Sequence, residues 1–222
     1  MQQLVVVRAP DWLSVAGELR CFRRAGDGDW LACGQPLAVG LGRNGLAWDA
    51  SQASAVDTPF RLKTEGDGCA PAGIFPIMAL FGTVPDDSDL LQGAMPFIRT
   101  TSDLRAIDDP ASTHYNRIVD ATAIAHPDWS SSETMLRDDG RYALGAVVGY
   151  NTDPVRPGAG SCIFIHVRED ERPTAGCTAL SLPDMHWLAG WLDAAASPCL
   201  VQLPEMEYAQ RCRSWDLPRS DT

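Results

Sequence analysis

The sequence predicts a mainly-β domain with a few short helices and a long loop-rich insertion. Three observations lead there. Turn formers are dense, with 19 Gly and 16 Pro in 222 residues. The runs between them are short and β-branched or alternating, the pattern of half-buried strands. Only two segments carry a helix-start signal.

In chain order, Leu4 to Val7 form an apolar β-branched run that reads as a first strand. Residues 15–24 and 29–34 flank Gly26-Asp27-Gly28 and read as a hairpin, and 36–42 as a further strand. Residues 74–81 are apolar and aromatic, a buried strand in which Pro76 calls for an edge or a bulge. Residues 143–150, 161–167 and 198–203 complete the strands. Ser181 caps a helix with Pro183 and Asp184 in its first turn and Met185, Leu188, Ala189 and Leu192 on one face. Ser130 with Glu133 matches a capping box and predicts a short helix through Leu136. Residues 85–128 are rich in Asp, Pro, Ser and Thr with weak periodicity, a loop-rich excursion suited to shaping a cleft. Residues 1–212 read as a single domain, and 213–222 as a polar, disordered tail.

Composition excludes several function classes. Apolar residues make up 45% and charged residues 21%, the balance of a globular protein. The 18 basic and 29 acidic side chains give a formal charge of −11 and a pI near 4.7. No cationic excess exists to neutralise phosphates, so nucleic acid and anionic lipid are excluded as charge-driven partners. No apolar run is long enough for a transmembrane segment. The first eleven residues lack the pattern of a secretory leader, which leaves a cytoplasmic protein or the mature part of an exported one.

Seven cysteines occur, at positions 21, 33, 69, 162, 177, 199 and 212, and no pair has CxxC spacing. That argues against a structural zinc site and a thioredoxin-type pair. An odd count leaves at least one thiol unpaired within a monomer. Export would permit three disulfides, Cys21 and Cys33 on facing hairpin strands being the first candidate pair. Otherwise these residues serve as small buried hydrophobes.

Gly40, Gly42 and Gly45 match GxGxxG, but no helical face follows, so the motif reads as a turn rather than a dinucleotide site. No P-loop and no GxSxG elbow is present. The informative segment is Gly160 to Leu182: an apolar strand ending in His166, a charged turn, then Thr174-Ala175-Gly176-Cys177. Strand, turn and return can bring imidazole beside thiol, where it takes the thiol proton or holds a thiolate–imidazolium pair. Gly176 allows a bulky acyl group to approach the sulfur and lets successive N–H groups face a developing oxyanion. A purely structural His and Cys is the other reading of the same residues. His114, His126 and His186 have no partner at useful spacing.

The segment resembles the active-site motif of the L,D-transpeptidase (YkuD-like) catalytic domain, a His strand followed by a [ST]-x-G-C turn. Upstream pieces resemble one branch of that family in the same order. They are Lys63-Thr-Glu-Gly-Asp-Gly68, Pro71 to Phe75, Phe81-Gly82, Tyr115-Asn116, Trp129 to Glu133, Val148 to Asn151 and Pro157 to Ser161. The resemblance runs from about Arg43 to Leu203 and implies an L,D-transpeptidase-like β-sandwich or barrel. It implies that Cys177 forms a thioester with a peptidoglycan stem peptide, with His166 as general base and acid. The N–H groups of Gly176 and Cys177 are then oxyanion donors. A second stem's amine or water resolves the thioester, and hydrolysis or a non-catalytic wall-binding domain are the alternatives. Carbapenem-type inhibitors are implied as ligands and the periplasm or cell envelope as location, with no metal or organic cofactor. Tyr150 and Asn151 are candidates for substrate binding or for a strand-end turn, and Thr174 for bonding the turn that presents Cys177. Tyr115 and Asn116 either line the cleft or stabilise the fold. Many family members carry His or Ser before Gly-Cys and an Arg soon after it. Here Ala175, Thr178 and Ala179 stand there, so any carboxylate-holding role passes to another residue.

Overall fold

A computed structural model describes residues 1–53, 61–85, 88–91, 93–168, 170 and 172–219. Part of the insertion (86–87 and 92), Glu169 and Glu171 of the charged turn, and the last three tail residues lie outside the described residues.

The strands follow in chain order as β1 (Gln3–Ala9), β2 (Ala16–Arg23), β3 (Leu31–Gly40), β4 (Leu46–Trp48), β5 (Ala70–Gly82), β6 (Phe97–Arg99), β7 (Leu104–Ala106), β8 (Ile118–Asp120), β9 (Glu133–Thr134), β10 (Leu144–Val148), β11 (Phe164–Val167), β12 (Thr178–Leu180) and β13 (Cys199–Pro204). Helix α1 (Leu182–Trp191) follows β12, and α2 (Glu205–Arg211) follows β13. Pairing runs from β10 through β11, β12, β3, β2, β1, β13 and β5, and β5 bonds back to β10. Eight strands therefore close a barrel-like ring, the arrangement that removes exposed strand edges.

The residue pattern explains the pairing. Leu4 to Val7 are buried on both faces of β1, and β1 lies in the ring between parallel β13 (Leu4↔Cys199) and antiparallel β2. Pro76 falls where β5 changes partners, pairing with β13 up to Pro76 and with β10 from Ile77 onward. That changeover, with its register shift at Val147/Val148, tolerates a residue lacking an N–H. The two expected strands at 29–34 and 36–42 are one continuous strand, β3, with the register shift on β2 between Leu19 and Cys21. Cys21 and Cys33 are register partners, and both carry free thiols. The GxGxxG segment is a turn: Gly45, at φ +77°, donates its N–H to Gly42 O and leads into β4 with no helix.

Helix α1 forms where expected. Ser181 Oγ accepts the Asp184 N–H, and Met185, Leu188 and Ala189 are buried. Three other expectations are corrected. The capping-box helix at Ser130 does not form, because Ser130 N–H and Oγ–H both donate to Asp109 Oδ2 at 2.6 Å. With its cap residue committed elsewhere, the chain extends, and Glu133 pairs with Ala106 in β9. The insertion is not loop alone: β8, β7 and β9 form a small sheet, and Ala106 of β7 joins a second core of Phe81, Met135, Tyr142, Cys162 and Phe164. Of the expected disordered tail, the described residues 214–219 are packed rather than free. Leu217 is buried, Trp30 Nε1 donates to Asp216 O and Tyr208 Oη to Pro218 O. Helix α2, which buries Tyr208 and Arg211, lacked a side-chain cap that would have announced it.

One buried polar link ties the strand that follows Cys177 to the barrel. Thr178 Oγ1 donates to Gln202 Oε1 at 2.7 Å, and Gln202 Nε2 donates to Pro71 O at 2.8 Å. Both side chains are almost fully buried, so an unpaired partner cannot turn to water. Gln202→Leu is expected to lower unfolding free energy by about 1–3 kcal/mol in urea titration. Gln202→Leu with Thr178→Val is expected to recover part of that loss, since fewer orphaned groups remain.

Candidate active site

His166 sits in the middle of β11, between Gly145 of β10 and Ala179 of β12. Its Nδ1 lies 2.8 Å from Val167 O. A carbonyl only accepts, so Nδ1 carries the proton, and Nε2 is the free lone pair of the neutral ring. Burial, with the Arg141 and Arg137 charges, lowers the His166 pKa below its usual value. The ring also packs edge-on against Tyr142 at 5.5 Å.

Cys177 ends the Thr174–Cys177 turn just before β12, which runs parallel to β11. The turn is fixed by Thr174, whose Oγ1 donates to Cys177 O at 2.6 Å and accepts the Gly176 N–H at 3.1 Å. Thr174 is itself bound on both sides to the loop after β3, through Arg43 N–H and Leu41 O. Gly176 adopts φ +153°, and a Cβ there would meet Cys69 O at 2.9 Å. The glycine is thus required by close approach of β5's leading segment.

The thiol is held by the neighbouring strand's backbone. Phe164 N–H donates to Cys177 Sγ at 3.3 Å, and Sγ–H points to Cys162 O at 3.6 Å. Burial and the Glu133 carboxylate push its pKa up to about 12, against opposing pulls from the Phe164 N–H and Lys63. Both shifts favour a neutral thiol and a neutral imidazole over an ion pair. Both side chains line one cleft of about 240 Å³, together with Glu133, Tyr142, Arg137 and Arg141.

The family model of the L,D-transpeptidase catalytic domain (YkuD) matches residues 34–201. The chain belongs to this family. Comparison with curated proteins returns no match. The L,D-transpeptidase family performs cell-wall transpeptidation and acts on peptidoglycan, and a cell-wall enzyme works outside the cytoplasm. Among the described residues no helix is long and apolar enough to cross a membrane. No group of three or more His, Cys, Asp or Glu among them is arranged to hold a metal ion.

Within this L,D-transpeptidase domain the residues singled out in the sequence fall into two sets. His166, Cys177 and Thr174 line the same cleft, and Gly176 lies beside Cys177 in a second cleft of about 170 Å³. Tyr150 and Asn151 are away from both. Tyr150 is buried with its hydroxyl on Ala159 O. Asn151 Nδ2 donates to Arg156 O and Gly160 O, both at 2.9 Å, while its Oδ1 accepts the Arg156 N–H. They brace the loop that feeds β11. The Gly176 N–H is committed to Thr174, whereas the Cys177 N–H has no acceptor among the described residues.

The other motif residues belong to the same brace. Asn116, in a left-handed conformation at φ 62°, donates to Tyr150 O and Asn151 O and accepts the Cys162 N–H. Glu65 Oε2 accepts from Tyr115 Oη and Ser161 Oγ. His114 packs on Trp129, and His126 and His186 are exposed, all remote from the thiol's lining.

Glu133 and Tyr142 also line the His166 cleft, and nothing in the sequence marks them as candidates. Glu133 was absorbed by the capping-box pattern, and its hydrogen-bond partner Tyr142 lies on the far side of a turn with no periodic signal. Guanidiniums of Arg137 and Arg141 line the His166 cleft, so positive charge reaches the site from the segment before β10 although none follows Cys177.

The raised thiol pKa has a direct kinetic signature. At pH 7 roughly one part in 10⁵ of such a thiol is thiolate. The iodoacetamide labelling rate of Cys177 is expected to rise about tenfold per pH unit from pH 7 to 10; a plateau reached near neutrality would instead indicate a resting ion pair. Asn116→Ala is expected to destabilise the fold by about 1–3 kcal/mol in thermal or urea melts, because it orphans several main-chain groups at once.

Proposed function

We propose that the protein is a cysteine acyltransferase of peptidoglycan stem peptides. Cys177 attacks the carbonyl of the diamino-acid residue that carries the terminal D-alanine. The thiol proton passes to His166 Nε2 as the C–S bond forms, and then from the imidazolium to the departing D-alanine amine. The Cys177 N–H donates to the oxyanion of the tetrahedral intermediate. An amine of a second stem then takes the acyl group and makes a cross-link, while water gives the tripeptide. A strained β-lactam carbonyl, as in a carbapenem, would acylate the same sulfur. Such a substrate puts the protein in the periplasm or cell envelope.

The observation that carries this reading is the free Nε2 of a tautomerically fixed imidazole in the cleft that also exposes Cys177. The step asks the thiol to leave the Cys162 carbonyl and turn toward the imidazole. Proton removal and attack are then concerted, because a thiol with pKa near 12 is not ionised in advance.

Incubation with a tetrapeptide stem, followed by mass spectrometry, tests the proposal. The expected products are free D-alanine with a cross-linked dimer, a tripeptide, or both, through an adduct mapped to Cys177. Cys177→Ala is expected to abolish turnover, and His166→Ala to reduce it about 10²–10⁴-fold, both with near-native melting temperatures. Turnover surviving in Cys177→Ala, or unfolding of both variants, would sink the assignment. Since burial lowers the His166 pKa, the base stays unprotonated below pH 6.5. The acid limb of kcat/KM is therefore expected below that value.

A further inference from the structure

We propose that Glu133 is the acceptor-amine residue of this site: its carboxylate binds the incoming ammonium and takes the proton that must leave before nitrogen can attack the thioester. This rests on the acyl-transfer reading above and assigns its second half-reaction.

Three observations support it. Glu133 lines both clefts that share Cys177, the one holding His166 and the one holding Lys63, Glu65 and Asp108. It therefore borders the thioester from either approach. Its Oε2 accepts the Tyr142 hydroxyl, and Tyr142 is clamped by Phe81, Phe164 and the His166 ring. The carboxylate is held in place by that bond, while Oε1 has no hydrogen-bond partner among the described residues. The neighbouring acids are differently engaged: Glu65 accepts from Tyr115 and Ser161, and Asp108 from Ser131. Burial raises the Glu133 pKa, which brings it closer to a proton acceptor suited to neutral pH.

The chemistry balances. An amine acceptor is an ammonium at neutral pH and has no lone pair to donate. It transfers one proton to Glu133 Oε1, and the freed lone pair forms the C–N bond at the thioester carbonyl. The second proton passes to His166 Nε2, which is neutral again after acylation. Collapse breaks the C–S bond, and the imidazolium protonates the departing thiolate. The Glu133 proton leaves to water. His166 has one available nitrogen, so one base cannot hold both protons. Water as the resolving nucleophile needs only one proton removed, so it does not call on Glu133.

The test compares products of the tetrapeptide stem with wild type and Glu133→Gln, which keeps the shape and an acceptor for Tyr142. The dimer-to-tripeptide ratio is expected to fall at least about tenfold. The acceptor concentration needed for half-maximal dimer formation is expected to rise. Iodoacetamide labelling of Cys177 is expected to quicken, because a negative charge beside the sulfur has gone; this readout also checks that the site is folded. An unchanged ratio in a variant that still forms the thioester would overturn the Glu133 assignment alone. Equal loss of dimer and tripeptide would overturn it in favour of a general positioning role. A wild type that forms no Cys177 adduct would overturn the acyl-transfer reading and this assignment with it.

Discussion

The site depends on the grip of one strand's backbone on a sulfur atom. Phe164 N–H and Cys162 O hold the Cys177 thiol, and both groups belong to the stretch entering β11. Their positions are set by the parallel pairing of β11 with β12 and by the brace upstream. Asn116 fixes Tyr150, Asn151 and Cys162 at once, and Asn151 closes the intervening loop on itself. The left-handed conformations of Asn116, Asn151 and Cys162 follow from that demand. Non-glycine residues adopt them at a cost that the surrounding bonds must offset. The motifs spread over the middle of the sequence are thus one hydrogen-bonded scaffold whose output is the location of a thiol.

That scaffold also sets the electrostatics. Burial and a nearby carboxylate favour the protonated thiol, and burial with the Arg141 and Arg137 charges favours the neutral imidazole. A sulfur held as the neutral thiol is a poor target for oxidants and adventitious electrophiles, since reactivity follows the thiolate. The proposed acyl transfer then requires a substrate that places a carbonyl within reach while the proton moves to Nε2. On the proposed mechanism, specificity is built into activation: the nucleophile is generated only in the presence of the group it attacks.

The barrel was legible because its strands are locally marked. Leu4 to Val7, 143–150 and 161–167 carry β-branched or alternating patterns, and Ser181 announces α1. The long-range pairing was not, since nothing local in Leu4 and Cys199 says that they are register partners. The Ser130–Glu133 capping box failed for a related reason. A carboxylate from Asp109 captured the hydroxyl, and tertiary hydrogen bonding overrode a local signal worth about 1 kcal/mol. The shared cleft of thiol and imidazole was legible because the two residues are close in sequence and chemically marked. Glu133 carries no such mark, and its place beside the thiol emerges only in the folded chain, where it binds Tyr142.

The insertion therefore does more than border a groove. Its small sheet covers the second core, where Phe81, Tyr142 and Phe164 pack edge to face. Phe164 supplies the N–H that holds the sulfur, and Tyr142 contacts the imidazole and binds Glu133. One aromatic cluster thus contacts or holds thiol, imidazole and carboxylate together. Aromatic side chains suit this place, because their rigid rings fix neighbours at low entropic cost and the tyrosine keeps one polar end for the cleft. A change in β7 or β9 reaches the chemistry through this cluster without touching substrate. The part of the chain with the weakest sequence signal is consequently packed against the cluster that holds thiol, imidazole and carboxylate.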